Sequence, residues 1–114
     1  MKSMIKERIS QLKARLLGDK DRLEKDLEAV NPANMAANPG DEEEQADEVE
    51  EMVERAALAE VIRRRLRRVK SALGKMQNKT YGICENCGKA IEEKLLEVDP
   101  ESRYCRECKR KLHG

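Results

Sequence analysis

The 114-residue chain contains no phenylalanine and no tryptophan, and only two tyrosines. A chain so poor in aromatics cannot fill a broad globular core. With 41% of its residues charged, it suits long helices that each bury a narrow apolar stripe. Long hydrophobic runs are missing too. None approaches the ~20 residues of a membrane span, so no membrane segment is expected. The first ten residues include Lys2, Lys6, Glu7 and Arg8 and hold no apolar stretch of the kind that marks a secretory signal. The expected setting is therefore the cytoplasm, with reduced cysteines. Histidine occurs once, as His113. There is no serine/histidine/aspartate set and no phosphate-cradling glycine loop, so an enzyme is not expected.

Against these absences stand four cysteines, all between Tyr81 and Cys108. Cys84 and Cys87 enclose two residues, Cys105 and Cys108 enclose two more, and 17 residues separate the pairs. This spacing predicts one tetrahedral zinc ion. A two-residue gap lets a tight turn offer both sulfurs to one ion at about 2.3 Å, and two such turns complete four thiolates. Gly88 follows the second cysteine, where a knuckle can need a positive φ. The intervening 17 residues have room for a small hairpin. Two disulfides or a redox pair explain the spacing less well. Four thiolates leave no open coordination position, so the predicted zinc is structural, and His113 is redundant as a ligand.

The net charge of +1 conceals a strong pattern. Residues 31–61 carry 1 basic and 10 acidic side chains, whereas residues 62–80 carry 8 basic and no acidic ones. Residues 81–114 are balanced at 7 and 7. Residues 3–30 read as a helix with a heptad stripe of Ile5, Ile9, Leu12, Leu16, Leu23 and Val30, capped by Ser3 and interrupted at Asp19 and Asp26. Residues 31–40 hold two prolines and a glycine and break the pattern. A second helix is predicted over 41–78. Asp41 serves as its N-cap, with glutamates in its first turn. Its stripe runs Val49, Met52, Ala56, Ala59, Ile62, Leu66, Val69, Leu73 and Met76. Ile91, Leu95, Leu96 and Val98 are the apolar residues available to the zinc module. Asp99 to Glu101 should form a turn, and Lys109 to Gly114 a short helix.

The predicted fold is mainly α. An antiparallel coiled-coil hairpin (1–79, tip at 31–40) is followed by a four-cysteine zinc-finger module with a short C-terminal helix (80–114). The breaker favours a hairpin within one chain over dimerisation through the stripes, so a monomer is expected.

The string Tyr81-Gly82-Ile83-Cys84-Glu85-Asn86-Cys87-Gly88, with Ile91, Leu96, Pro100, Cys105 and Cys108, closely resembles the zinc finger of the DksA/TraR proteins. The preceding hairpin with its breaker is similar to theirs. The resemblance implies a bacterial transcription regulator that binds RNA polymerase, with its coiled coil in the secondary channel. It also implies guanosine tetraphosphate as an effector in the complex, and no sequence-specific reading of DNA. The tip departs from the family's Asp-x-x-Asp-x-Ala. Here Asn31, Asn34 and Ala36 match it, with amides in both acidic places. An amide still accepts hydrogen bonds but carries no charge. Leu95 stands where the family often has arginine. Arg63, Arg64, Arg67 and Arg68 form a candidate docking face, or else an ordinary solvated helix face. The alternatives are a zinc ribbon that binds nucleic acid and a structural coiled-coil adaptor. Scarce aromatics and a charge-balanced module weigh against the first of these.

Overall fold

The computed structural model describes residues 6–31 and 45–113. Four helices follow one another: α1 (Lys6–Val30), α2 (Gln45–Gln77), α3 (Glu93–Val98) and α4 (Arg106–His113). α1 and α2 form a helical hairpin that precedes the four-cysteine region. The Ser3 and Asp41 caps, and Asn34 and Ala36 of the tip, lie outside the described residues. Among the described residues there is no strand, and no helix is long and apolar enough to cross a membrane.

Contacts divide the chain into two compact units, residues 21–67 and residues 1–20 with 68–114. In the first unit the stripes meet as predicted: Leu23 on α1 and Ala59, Ile62 and Leu66 on α2 are buried. Each fully buried leucine or isoleucine stabilises by about 1.5–3 kcal/mol relative to an exposed one. Arg55 donates to the Ala29 carbonyl at 3.3 Å, beside the last turn of α1. The stretch of α2 before Arg55 therefore has no described helix opposite it. Val49 (59% exposed) and Met52 (45%) are consequently not buried, although their spacing continues the stripe, and Ala56, next to Arg55, is exposed as well.

The second unit holds the other ends of both helices and the cysteine region. Leu12, Leu16, Val69 and Ala72 are buried in it. After Val69 the buried step is three residues, to Ala72, and Leu73 is only half-buried. α2 stops where Asn78-Lys79-Thr80 predicted. Lys79 takes φ 62, Thr80 N–H donates to the Lys75 carbonyl at 2.8 Å and Lys79 N–H to that of Met76 at 3.3 Å. That pair of reversed bonds closes the last turn as a Schellman motif, with lysine in the left-handed place glycine usually takes.

Arg8 and Arg15, one heptad apart on α1, both reach α3. Arg8 pairs with Glu97 at 2.7 Å and Glu93 at 3.6 Å, and Arg15 donates to the Glu97 carbonyl at 2.6 Å. The Arg15 contact sits at the carbonyl end of α3, where cations are favoured.

Candidate metal centre

Each Cys-x2-Cys pair folds into the same turn. Cys87 N–H points at the Cys84 sulfur and Cys108 N–H at the Cys105 sulfur, both at 3.5 Å. Gly88 N–H then donates to the Cys84 carbonyl at 3.0 Å, and Lys109 N–H to the Cys105 carbonyl at 2.8 Å. Gly88 has φ 75, as predicted for the knuckle. Gly82 also lies in the left-handed region, at φ 84.

The predicted hairpin does not form between the pairs: the one isolated bridge, Ile83 to Ala90, flanks the first knuckle, and α3 and a turn occupy the gap. α3 places Leu96 at 0% exposure in the core with Leu12, Ile91 and three of the cysteines. Val98 is 79% exposed, contrary to expectation, because the last turn of α3 directs it to solvent. Ser102 N–H donates to the Asp99 carbonyl at 3.1 Å, which closes the predicted turn. α4 begins at Arg106, earlier than expected, so Cys108 lies within it. The Glu92 carboxylate accepts from Arg106 N–H at 3.0 Å, at the start of α4. That bond holds Glu92 below the usual carboxylate range.

These turns bring the four predicted sulfurs together. All lie within 4.8 Å of one another, and Cys87 and Cys105 are 3.8 Å apart. Sulfurs at the corners of a tetrahedron around zinc, at about 2.3 Å from it, stand about 3.8 Å apart. Cys84, Cys105 and Cys108 are buried and Cys87 is exposed. Asn86 donates to the Cys108 sulfur at 3.3 Å.

The thiols could not all ionise unaided. Burial alone would raise Cys84, but hydrogen bonds from the backbone around Cys87, Cys105 and Asn86 pull it down to about 6. For Cys108 the Asn86 bond lowers the pKa, yet burial and the other three sulfurs push it to about 12. One negative charge in the cluster thus opposes the next. A divalent cation removes that conflict, and this all-sulfur donor set suits zinc. The four cysteines form a C4 zinc site that takes one structural zinc.

Residues 79–112 match the family described as "Prokaryotic dksA/traR C4-type zinc finger". An uncharacterized protein of Aquifex aeolicus (strain VF5) is 34% identical over 112 residues, covering 92% of this chain and 76% of that protein. The chain belongs to the DksA/TraR C4-type zinc-finger family. Among solved structures it is similar to that of the transcription factor DksA2 from Pseudomonas aeruginosa. That match has a TM-score of 0.81 and 21% identity, and covers 94% of this chain and 84% of DksA2. The fold is therefore the DksA fold.

Asn31 is half-buried just after α1, its N–H donating to the Leu27 carbonyl at 2.9 Å. Arg64 and Arg67 lie 3.3 and 3.6 Å from Glu60. Arg68 lies 3.7 Å from Glu101, which is only 7% exposed. Three of the four candidate docking arginines thus have partners within the chain. Arg68 supplies a countercharge to a buried carboxylate, which would be costly to leave alone. Nothing in the spacing of the sequence signals that pair.

Glu85 was also missed. It lies between the two cysteines of the first knuckle and pairs with Lys75 at 3.0 Å and with Arg103. Its N–H donates to the Arg103 carbonyl at 2.9 Å, joining the two knuckles. Burial would raise its carboxyl, but the Lys75 and Arg103 bonds outweigh that and hold it below its ordinary value. A depressed carboxyl stabilises the fold above its unfolded pKa, and that contribution is lost as pH falls through the folded one. Glu85→Gln should therefore lower stability at pH 7 by about 1 kcal/mol, a value discounted for solvent screening of these partly exposed pairs. Thermal unfolding of the zinc-loaded protein checks this. At neutral pH, where the thiolates keep their metal, the difference from wild type should narrow as added salt screens these pairs.

Proposed function

We propose that this chain is a bacterial transcription regulator that binds RNA polymerase directly, as a monomer, with its helical hairpin inserted into the secondary channel. The observation that carries this is the joint occurrence of a DksA/TraR zinc module and a helical hairpin in one DksA-like fold. In this reading the zinc module (80–114) is structural, the hairpin (1–79) is the effector, and the protein is cytoplasmic and not an enzyme. Asn31, Asn34 and Ala36 approach the catalytic centre, and the basic face from Arg63 to Arg68 contributes to docking. Guanosine tetraphosphate acts in the complex.

The nucleic-acid alternative rests on the basic run before the module. It is disfavoured because the module itself, residues 81–114, is balanced at 7 basic and 7 acidic side chains, and because stacking aromatics are nearly absent.

Binding of the zinc-loaded protein to core RNA polymerase without DNA, with a Gre-type factor as competitor, tests the proposal. Displaceable binding is expected, and absence of binding with zinc intact would overturn it. Guanosine tetraphosphate should alter promoter output only in the complex. With Asn31→Asp and Asn34→Asp together, open-complex inhibition in an in vitro transcription assay should become several-fold stronger, because two carboxylates are restored where the family carries them. Unchanged output would show that these residues are not the functional tip.

A further inference from the structure

The second unit carries a groove that the zinc site does not use. Ile9 and Leu17 of α1, Leu73 and Met76 of α2, and Ile83 of the knuckle give it an apolar lining, with Leu17 47% and Ile83 38% exposed. Lys6, Lys13, Lys70 and Lys79 also line it. All four are exposed, and none has an ion-pair partner among the described residues. Lys20 is the fifth lysine of the lining, whereas the single acid, Glu93, is 3.6 Å from Arg8. The groove encloses about 1580 Å³, more than the roughly 300–1,000 Å³ of small-molecule pockets. That volume has room for a helical segment. Apolar length with a lysine border selects an acidic amphipathic one.

The other unit displays such a helix. On α2, Val49, Met52 and Val53 are 59%, 45% and 64% exposed, and Ala56 continues their face. The spacing of three, four and seven is that of an anchor stripe. Glu48, Glu50, Glu51 and Glu54 surround it, and Arg55, the one basic residue in that stretch, is held by Glu51 at 3.0 Å. The chain therefore bears an exposed apolar face in acidic surroundings and an apolar groove in basic ones. Neither has an occupant among the described residues.

We propose that the free protein self-associates reversibly, with the Glu48–Ala56 face of α2 from one copy seated in the lysine-bordered groove of another. The contact joins two different surfaces, so it closes as a reciprocal pair or extends head to tail. It is also reversible by salt, since its charges lie at the solvent-exposed border.

Sedimentation of the full-length, zinc-loaded protein over a range of concentration and salt tests this without polymerase. The mass should rise from 13.1 kDa to about twice that or more at low salt, and fall back as salt screens the contact. Lys13→Glu with Lys70→Glu should abolish association, and so should Glu50→Lys with Glu54→Lys. Zinc content and helical circular dichroism report that each variant is folded. An equimolar mixture of the two variants pairs reversed groove with reversed helix and should restore association. A constant monomer mass at every concentration would overturn the proposal, and so would association that survives both charge reversals.

Discussion

Cys84→Ser should reduce bound zinc from one ion per chain to a small residue and unfold the cysteine module. Cys84 is 2% exposed and its sulfur accepts the Cys87 N–H, so the substitution removes a metal ligand and a core atom together. A structural zinc supplies on the order of 10–16 kcal/mol of folding free energy at pH 7. The module has little to replace it. Apart from cysteines, its buried cluster contains only Leu12, Ile91 and Leu96. A small region with so little core depends on its metal. Far-UV circular dichroism should fall only modestly, because α3 and α4 hold 6 and 8 helical residues against 25 and 33 in α1 and α2. Metal analysis and proteolysis between 81 and 113 are the sharper readouts. Full zinc occupancy in the variant would refute the four-cysteine assignment. Chelation of wild type should reproduce the variant's digestion pattern, because both lose the same ion.

The cysteine site was legible because its geometry is local. Two residues between cysteines specify a turn, and the second pair completes what the first begins. The seam was legible wherever both helices are present, from Leu12 to Leu23 and from Ala59 to Val69. It misled where periodicity runs beyond the partner. Val49 and Met52 repeat at heptad-like intervals, yet the place where α1 ends is not written into the sequence of α2. Pattern also failed in the stretch between the cysteine pairs. An apolar residue in a six-residue helix faces in or out according to how that helix docks. That docking is set by Arg8 and Arg15, some eighty positions earlier. The Arg68–Glu101 pair was hidden for the same reason, since its partners meet only after the chain has folded back on itself.

The difference between Leu96 and Val98 puts that docking to a direct test. The two residues lie on the same short helix, both are apolar, and either suits a small core by composition. Leu96 is 0% exposed in the cluster with Cys84, Cys105 and Cys108, and its Cδ1 lies 3.6 Å from where a side chain at Gly82 would begin. Leu96→Ala should therefore open a cavity beside the zinc knuckles and cost about 2–5 kcal/mol. Loss of metal to a competing chelator should be correspondingly faster, since the packing that holds the first knuckle is weakened. Val98→Ala, at a residue 79% exposed, should change stability by no more than about 0.5 kcal/mol. Thermal unfolding of the two zinc-loaded variants beside wild type separates the cases. Equal losses would mean that α3 docks in a different rotation, and that the arginines of α1 do not hold it as described. A large loss confined to Leu96 would tie zinc retention to one leucine delivered by a helix that cysteine spacing alone did not reveal.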